Sequence, residues 1–308
     1  MKIKILKPGL LTTIQDIGRH GEMCHGIAHS GAMDHLSMKL ANWLVNNPLD
    51  APVLEITIIG PTIQFSKPMS IAVCGADFDL FLNGEIVFSH QTINVKKGDV
   101  LEFDHLNSGA RAYLSFAGRL KLPPIMNSYS TNLTAGFGGY FGKELAIKDK
   151  IKIKDPRVEN LKKVPEKFVP KYSGNYYFRC VPSVESDQFS ELEKERFSQT
   201  HYQVTPDSNR MGIRLKGDSI LTEKAPQIIS SGLTQGSVQI TPSGMPIVSS
   251  VDGQTIGGYP RIANIISADL PLLGQLRAND KIRFGFVSME LALQAFEAKQ
   301  TLFDKIIG

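Results

Sequence analysis

The chain has 308 residues, of which 42% are hydrophobic and 21% charged, with 34 basic and 30 acidic side chains giving a formal charge of +4. That length can bury one large core or two ordinary ones, two domains being the better expectation, and the composition carries no bias toward disorder. The charge is balanced and contains no basic block, so nothing resembles a nucleic-acid footprint, and a small or neutral ligand fits better.

The opening stretch, Met1 to Leu11, carries lysines but no apolar core followed by a small-residue cleavage site, and reads as a first strand rather than a secretory signal. No run approaches the roughly 18 apolar residues of a spanning helix. The three cysteines, Cys24, Cys74 and Cys180, are odd in number and far apart. A soluble protein of the reducing cytoplasm is expected.

Asp34 to Asn46 is predicted to be a helix, because Leu36, Leu40, Trp43 and Leu44 recur on one face and Asn46-Asn47-Pro48 would stop it. Short β-branched and aromatic runs follow at Val53 to Ile59, Ser70 to Cys74, Ile93 to Val95, Val100 to Phe103 and Ala112 to Phe116. Asn83-Gly84, between Asp79 to Leu82 and Glu85 to Phe88, predicts a hairpin, since a type I′ turn needs positive φ at both central residues. The Lys- and Pro-rich stretch 151–171 is assigned as a linker between an N-terminal β domain, 1–150, and a C-terminal one, 172–308. Helices are predicted again over Ser186 to Phe197 and over Ser288 to Ile306, the last opened by a Ser288 cap.

Two segments resemble each other. Glu55-Ile56-Thr57-x-x-Gly60-x-x-Ile63 matches Gln239-Ile240-Thr241-x-x-Gly244-x-x-Ile247, and Gly98-Asp99-x-Leu101-x-Phe103 matches Asn279-Asp280-x-Ile282-x-Phe284 at a similar separation. Two related β domains account for this, although strand-turn-strand sequences also look alike by chance.

Several common catalytic motifs are missing. Around Gly142-Lys143 a P-loop is only approached, with Phe137 and Glu144 where Gly and Ser/Thr are needed, and no zinc helix, Cys-x-x-Cys pair or nucleophile elbow occurs. Any ATP chemistry needs an unorthodox or shared site. His20, Cys24, His25, His29 and His35 cluster without regular ligand spacing, so no metal is expected. Ser30-Gly31-Ala32-Met33-Asp34 reads either as a helix cap or as an anion-holding helix N-terminus, and both can hold at once. Ser128 to Thr131 followed by Gly136-Phe137-Gly138-Gly139 is a hydroxyl run and a glycine-rich loop, weak as a phosphate cradle. Arg210 and Arg214 suit a carboxylate or phosphate, or are alternating charges on a strand. The densest candidate runs from Gly244 to Pro260, where Asp252, Gln254, Thr255, Gly257, Gly258 and Tyr259 crowd loops of a β scaffold.

With Pro8-Gly9-Leu10-Leu11-Thr12-Thr13-Ile14-Gln15-Asp16-Ile17-Gly18-Arg19, Leu40-Ala41-Asn42, Leu54-Glu55-Ile56-Thr57, Gly60-Pro61-Thr62, Arg210-Met211-Gly212, Gln254-Thr255 and Gly257-Gly258-Tyr259-Pro260, the chain resembles a known family from about Pro8 to Val287. This is the C subunit of the bacterial ATP-dependent 5-oxoprolinase, also labelled KipA or allophanate hydrolase subunit 2. The resemblance implies a mainly β protein with a few helices, two cyclophilin-like β-barrel domains in tandem, related to the carboxyltransferase part of urea carboxylase. It implies work with a KipI-like B subunit and an A subunit, with ATP and Mg as cofactors and a small lactam or amide as substrate. Carried over residue by residue, it makes Asp34 or Asp252 the base and gives Gln254, Ser30 and Tyr259 hydrogen-bonding roles. Arg210 and Arg214 become an anion clamp, Gly31, Gln239, Thr255, Gly257 and Gly258 surround the substrate, and Ser130, Thr131, Gly136, Gly138 and Gly139 approach phosphate. Tyr129 and Gly253 stand where the family pattern has arginine.

Two other readings stay open. Biotin-dependent carboxyl transfer to a urea-like amide needs a biotinylated carrier from another protein, because no Ala-Met-Lys-Met sequence occurs here. A regulatory partner of a KipI-like kinase inhibitor would bind tightly without turnover. Allophanate hydrolysis is disfavoured by the lack of an amidase-like nucleophile segment.

Overall fold

The computed structural model describes residues 1–222 and 227–308. Its contacts divide the chain into two units. The first gathers Met1–His20, Ser30–Tyr172 and Ile307, and the second Gly21–His29, Ser173–Ile306 and Gly308. The protein is mostly β with a few helices, a curled sheet in the first unit and a closed barrel in the second.

The first unit is built on a ten-stranded sheet whose main path runs Leu11–Gln15, Val53–Thr57, Val100–Phe116, Thr62–Phe65, Lys2–Lys7, Lys150–Lys154 and Arg119–Leu120. Alternation sets the faces: in Lys2–Lys7, Ile3 and Ile5 are fully buried while the lysines between them turn outward. The two short strands expected within 100–116 are one strand of 17 residues. It pairs with Met69–Leu82 through register shifts between Gly75 and Leu80, the irregularity that a long twisted ribbon needs. At the end of this ribbon Leu82 faces Glu85, and Asn83 and Gly84 have φ of 56° and 86°, the predicted hairpin.

Helix α1, His35–Leu44, lies against the two long strands. Its buried face is Ser37, Met38, Leu40, Ala41, Asn42 and Leu44, with Leu36 and Trp43 only half-buried. The shift has a polar cause. Asn42 donates to the carbonyls of Leu49 and Ala51 at 3.1 and 2.8 Å and accepts from Ser115 Oγ at 2.6 Å, bringing that side of the helix inward.

The expected linker is a correction. Lys150–Lys154 is a strand paired with both Lys2–Lys7 and Arg119–Leu120, and the chain to Tyr172 stays with the first unit. Lys-Ile-Lys-Ile-Lys alternates with period two, and Ile151 and Ile153 enter the core; the lysine content obscures a strand pattern.

In the second unit the barrel order is Asn175–Pro182, Arg261–Ile265, Ser237–Ile240, Pro246–Ser249, Gly212–Lys216, Tyr202–Val204 and Lys281–Phe286, closing on the first strand. Phe178, Phe197, Tyr202 and Phe284 pack together, with Phe197 and Phe284 stacked at 4.6 Å. Helix α2, Glu191–Gln199, starts at a Ser190 cap, later than predicted, because Phe189 is extended after a single turn at Ser186–Gln188. Helix α3, Met289–Ile307, starts at the predicted Ser288 cap. The two similar sequence segments are both strand-turn-strand but pair differently. Val53–Thr57 and Thr62–Phe65 each flank Val100–Phe116, whereas Gln239 pairs directly with Ile247.

A β carbon at Gly84 would meet no atom within 4 Å, so Gly84→Ala tests backbone conformation alone. It should lower the stability of the first unit by about 1 kcal/mol, and Gly84→Asn by less, in urea unfolding followed by a probe in that unit. Equal stability of Gly84→Ala and the parent protein would refute the left-handed turn.

Candidate functional site

A cavity of about 560 Å³ opens in the second unit, formed by the strands Gly212–Lys216, Ser237–Ile240 and Pro246–Ser249 and the loops beside them. Arg214, Gln239, Gln254, Gly257, Gly258 and Tyr259, all singled out in the sequence, line it together. Asn209, Gln227 and Ser230 also line it and are not among the sequence candidates, since isolated polar residues on loops carry no periodic signal. Gln239 Nε2 faces the Tyr259 carbonyl at 3.4 Å. A β carbon at Gly257 would fall 2.6 Å from that same nitrogen and 2.5 Å from Leu233 Cδ1, so a larger residue here would push these side chains aside where the strand Ile256–Gly257 passes close to Gln239. Among the described residues lining the cavity none is a carboxylate, and Arg214 is exposed with no carboxylate partner. The site therefore offers neutral amide, hydroxyl and phenol groups plus one available guanidinium.

Two predicted members are elsewhere. Asp252 and Arg210 are 4% and 5% exposed and bonded to each other, Nε to Oδ2 at 2.7 Å and a second guanidinium nitrogen to Oδ1 at 3.3 Å. Asp252 N also donates to the Arg210 carbonyl, and Ser250 N to the Met211 carbonyl, at 2.9 and 3.1 Å. The pair fastens the loop before one lining strand to the loop after another. Neither the free base nor the anion clamp expected of these two residues is available. Thr255 does not line the cavity; its carbonyl accepts from Leu233 N at 2.8 Å. At position 253 a β carbon would lie 2.6 Å from Ser249 Oγ and 2.9 Å from the Ser250 carbonyl, so this backbone path admits glycine and not arginine.

In the first unit Asp34 is bonded within the fold. Asp34 caps α1, accepting from Ser37 N at 3.1 Å and Ser37 Oγ at 2.7 Å, while its own N–H donates to Tyr113 Oη at 2.7 Å. Tyr113 donates to Glu55 at 2.9 Å, and burial, then Glu55 and Asp34, push its phenol well above the ordinary value. Burial, reinforced by Asp34, likewise raises the Cys74 thiol. Ser30 and Gly31 have φ of 56° and 92° and pack on the Ile17-Gly18 backbone, where a β carbon on Gly31 would be 2.9 Å from Gly18 N.

The candidate phosphate loop is also internally occupied. Asp16, to which no sequence pattern assigns a role, accepts from Ser128 Oγ at 2.7 Å, Gly18 N at 2.8 Å, Tyr129 N at 2.5 Å and Ser130 Oγ. Thr131 Oγ1 donates to the Ile14 carbonyl at 3.0 Å, and Arg19 donates to the Ser130 carbonyl. β carbons on Gly138 and Gly139 would collide with Ser130 and Thr131, so these glycines admit their own chain; only Gly136 faces open space. The residues do not fit a phosphate cradle. Among the described residues no group of three His, Cys, Asp or Glu can hold a metal ion, and no helix is long and apolar enough to cross a membrane.

The fold and the site define a two-unit β protein with a polar, small-molecule-sized cavity in its second unit. The chain belongs to the family described as carboxyltransferase domain, subdomain A and B, which it matches over residues 25–286. It is 36% identical to the C subunit of 5-oxoprolinase from Escherichia coli over 99% of this chain and 97% of that one, and 31% identical to urea amidolyase of Saccharomyces cerevisiae over 99% of this chain and 18% of that one. The crystal structure of Kluyveromyces lactis urea carboxylase superposes with a TM-score of 0.93 at 29% identity, covering 99% of this chain and 29% of that one.

Two outcomes follow from these buried groups. Asp252→Ala takes the carboxylate away from the buried Arg210 guanidinium and should cost about 3–5 kcal/mol in denaturant unfolding, whereas Arg210→Met with Asp252→Leu should cost far less; equal losses would show that the ion pair is not the cause. Burial holds the His90 imidazole down to about 4, against the pull of Asp34, from an ordinary 6.5. Below pH 6.5 the unfolded chain binds the proton that folded His90 refuses, so this stability is full above about 6.5 and is lost as pH falls toward 4, about 3 kcal/mol in all. His90→Asn, which tolerates the φ of 58° at this position, should flatten that part of the pH–stability profile; an unchanged slope would assign it to other groups.

Proposed function

We propose that this chain is the C subunit of an ATP-dependent 5-oxoprolinase and binds the lactam in the cavity of its second unit. The full-length match to the Escherichia coli protein at 36% identity carries this reading, and the composition of the cavity supports it. 5-Oxoproline presents a lactam N–H, a lactam oxygen and a carboxylate. Gln239, Gln254 and Tyr259 supply neutral donors and acceptors for the lactam, and Arg214 a counter-charge for the carboxylate. A lactam is held closed by amide resonance, and ATP, when bound by the complex, supplies the phosphoryl group that makes its oxygen a leaving group. Donors aimed at that oxygen stabilise the charge that develops there. Because Ser130, Thr131, Gly138 and Gly139 are occupied by their own chain, the ATP phosphates are held by other groups, and the KipI-like B subunit is the proposed contributor. The proton acceptor is likewise assigned outside this cavity, and ring opening is completed by the A subunit.

The family description and the urea carboxylase superposition favour a second reading, carboxyl transfer from the carboxybiotin of a separate carrier to a urea-like amide. In this reading Arg214 would meet the carboxylate of carboxybiotin, since urea itself has none.

The test is ATP-dependent glutamate release from 5-oxoproline by the assembled A, B and C subunits, omitting each in turn. Release should require this chain, Gln254→Ala should slow it by about 10²-fold, and Arg214→Gln should raise KM more than it lowers kcat. Release without this chain, or an assembled complex inert toward 5-oxoproline that carboxylates urea with a biotinylated carrier, refutes the oxoprolinase reading.

A further inference from the structure

Five lysines share one face of two neighbouring strands in the first unit. Ile3, Ile5, Ile151 and Ile153 fill the core from Lys2–Lys7 and Lys150–Lys154, so the lysines alternating with them point the other way. The register sets Lys2 opposite Lys152 and Lys4 opposite Lys150, and Lys154 extends the row. Like charges directly opposite on paired strands repel, and a sheet selected for stability alone avoids them. Lys97 and Lys121 join the same open groove of about 790 Å³. Its one carboxylate, Asp155, is in an ion pair with Arg119 at 2.6 Å. Among the described residues none of the seven lysine side chains has an ion pair or a hydrogen bond. The groove therefore carries more positive charge than the +4 of the whole chain. It comes from four separate segments, which is why no basic block is visible along the sequence.

Repulsion left uncompensated inside the molecule marks a surface that an outside anion completes. The type of anion follows from what accompanies the lysines. Ammonium groups on flexible stems are point charges without the planar fork that selects a single phosphate or carboxylate geometry. The floor is a paired β sheet whose amides are engaged in the ladder, unlike the glycine loops and helix N-termini that cradle phosphates. Its aromatic lining is Phe65 alone, 1% exposed, so stacking on nucleic-acid bases has no platform. Lysines two residues apart on a strand repeat at about 6.8 Å, the spacing of alternate side chains in an extended peptide. The geometry points to a docking groove for an extended acidic segment of a partner protein, held mainly by charge. This inference does not depend on the proposed reaction and is tested without turnover.

Fluorescein-labelled decaglutamate titrated into the full chain, followed by fluorescence anisotropy, should bind saturably and more weakly as salt rises. The triple variant K4Q/K150Q/K152Q should weaken binding by at least about tenfold, while K216Q/K281Q/K305Q, which removes the same charge from exposed sites in the second unit, should not. Lys152→Glu, facing Lys2, should weaken decaglutamate binding and at the same time raise the thermal midpoint of the free chain, a combination that a merely structural lysine would not give. Binding indifferent to the groove substitutions, a lowered thermal midpoint for Lys152→Glu, or tighter groove-dependent binding of tripolyphosphate or oligo-dT than of decaglutamate would overturn the assignment.

Discussion

Arg210 and Asp252 lie 42 residues apart in the chain and meet through two hydrogen bonds, with 5% and 4% of their side chains exposed. Two charges withdrawn so far from water cost several kcal/mol each to desolvate, and their attraction offsets this only while both are present in good geometry. The bond is therefore a constraint on register more than a source of stability. It fixes where the chain entering Gly212–Lys216 meets the chain leaving Pro246–Ser249, and both strands line the cavity. Gln254 follows two residues after Asp252, and its place in the cavity wall is set by that anchor. A loosened pair would shift the lining without touching any group that faces a ligand, the kind of remote support on which positioned sites depend.

The first unit solves the same problem with neutral donors. Asp16 accepts two serine hydroxyls and two backbone N–H groups and is 4% exposed, so its charge is spread over dipoles, with no ion pair among the described residues. Arg19 closes the arrangement by donating to the Ser130 carbonyl while its guanidinium lies 4.7 Å from the centre of the Phe137 ring. Glu55, Tyr113 and Asp34 form a second buried network, in which Glu55 accepts from Tyr113 and Met33 N and also has the Arg111 guanidinium 3.9 Å away. Each satisfied network removes from chemistry the residues that look most chemical. Buried polar groups must be paired, and here most of the pairing is internal.

That requirement separates what the sequence reveals from what it conceals. The Asn83-Gly84 turn, the Asp34 cap of α1 and the Ser288 cap of α3 are local, each decided within about four residues, and they are legible. The strand Lys150–Lys154 alternates as clearly as any other, yet its lysine content points to a linker, because composition and period conflict there and composition is the louder signal. Glycine is the sharper case. Gly257 and Gly138 both mark a close approach, but the first admits Gln239 at the cavity wall and the second admits Ser130 in the interior. Nothing adjacent in sequence tells which partner approaches. Opposite charges conceal the same thing: Arg210 and Arg214 are equivalent candidates until Asp252, remote in the chain, occupies one and leaves the other.

A cavity lined by neutral polar groups and one guanidinium can orient an amide and steady charge on its oxygen, but it has no carboxylate among its described residues to remove a proton from nitrogen. Proton removal therefore draws on groups other than these described ones, and the relatives carry the matching region in two settings. In the Saccharomyces cerevisiae urea amidolyase the matching region is 18% of a longer chain, whereas it is 97% of the Escherichia coli protein. Covalent linkage supplies a high effective concentration whatever the surfaces are like. A module that works as a separate subunit must instead find and orient its partners through its own surface, where unpaired like charges speed encounter and reject wrong partners more than they add affinity. The lysine face of Lys2–Lys7 and Lys150–Lys154 sets like charges opposite one another in this way. Its intramolecular repulsion is a standing cost to the free chain, and that cost is accounted for once association is part of what the fold must achieve.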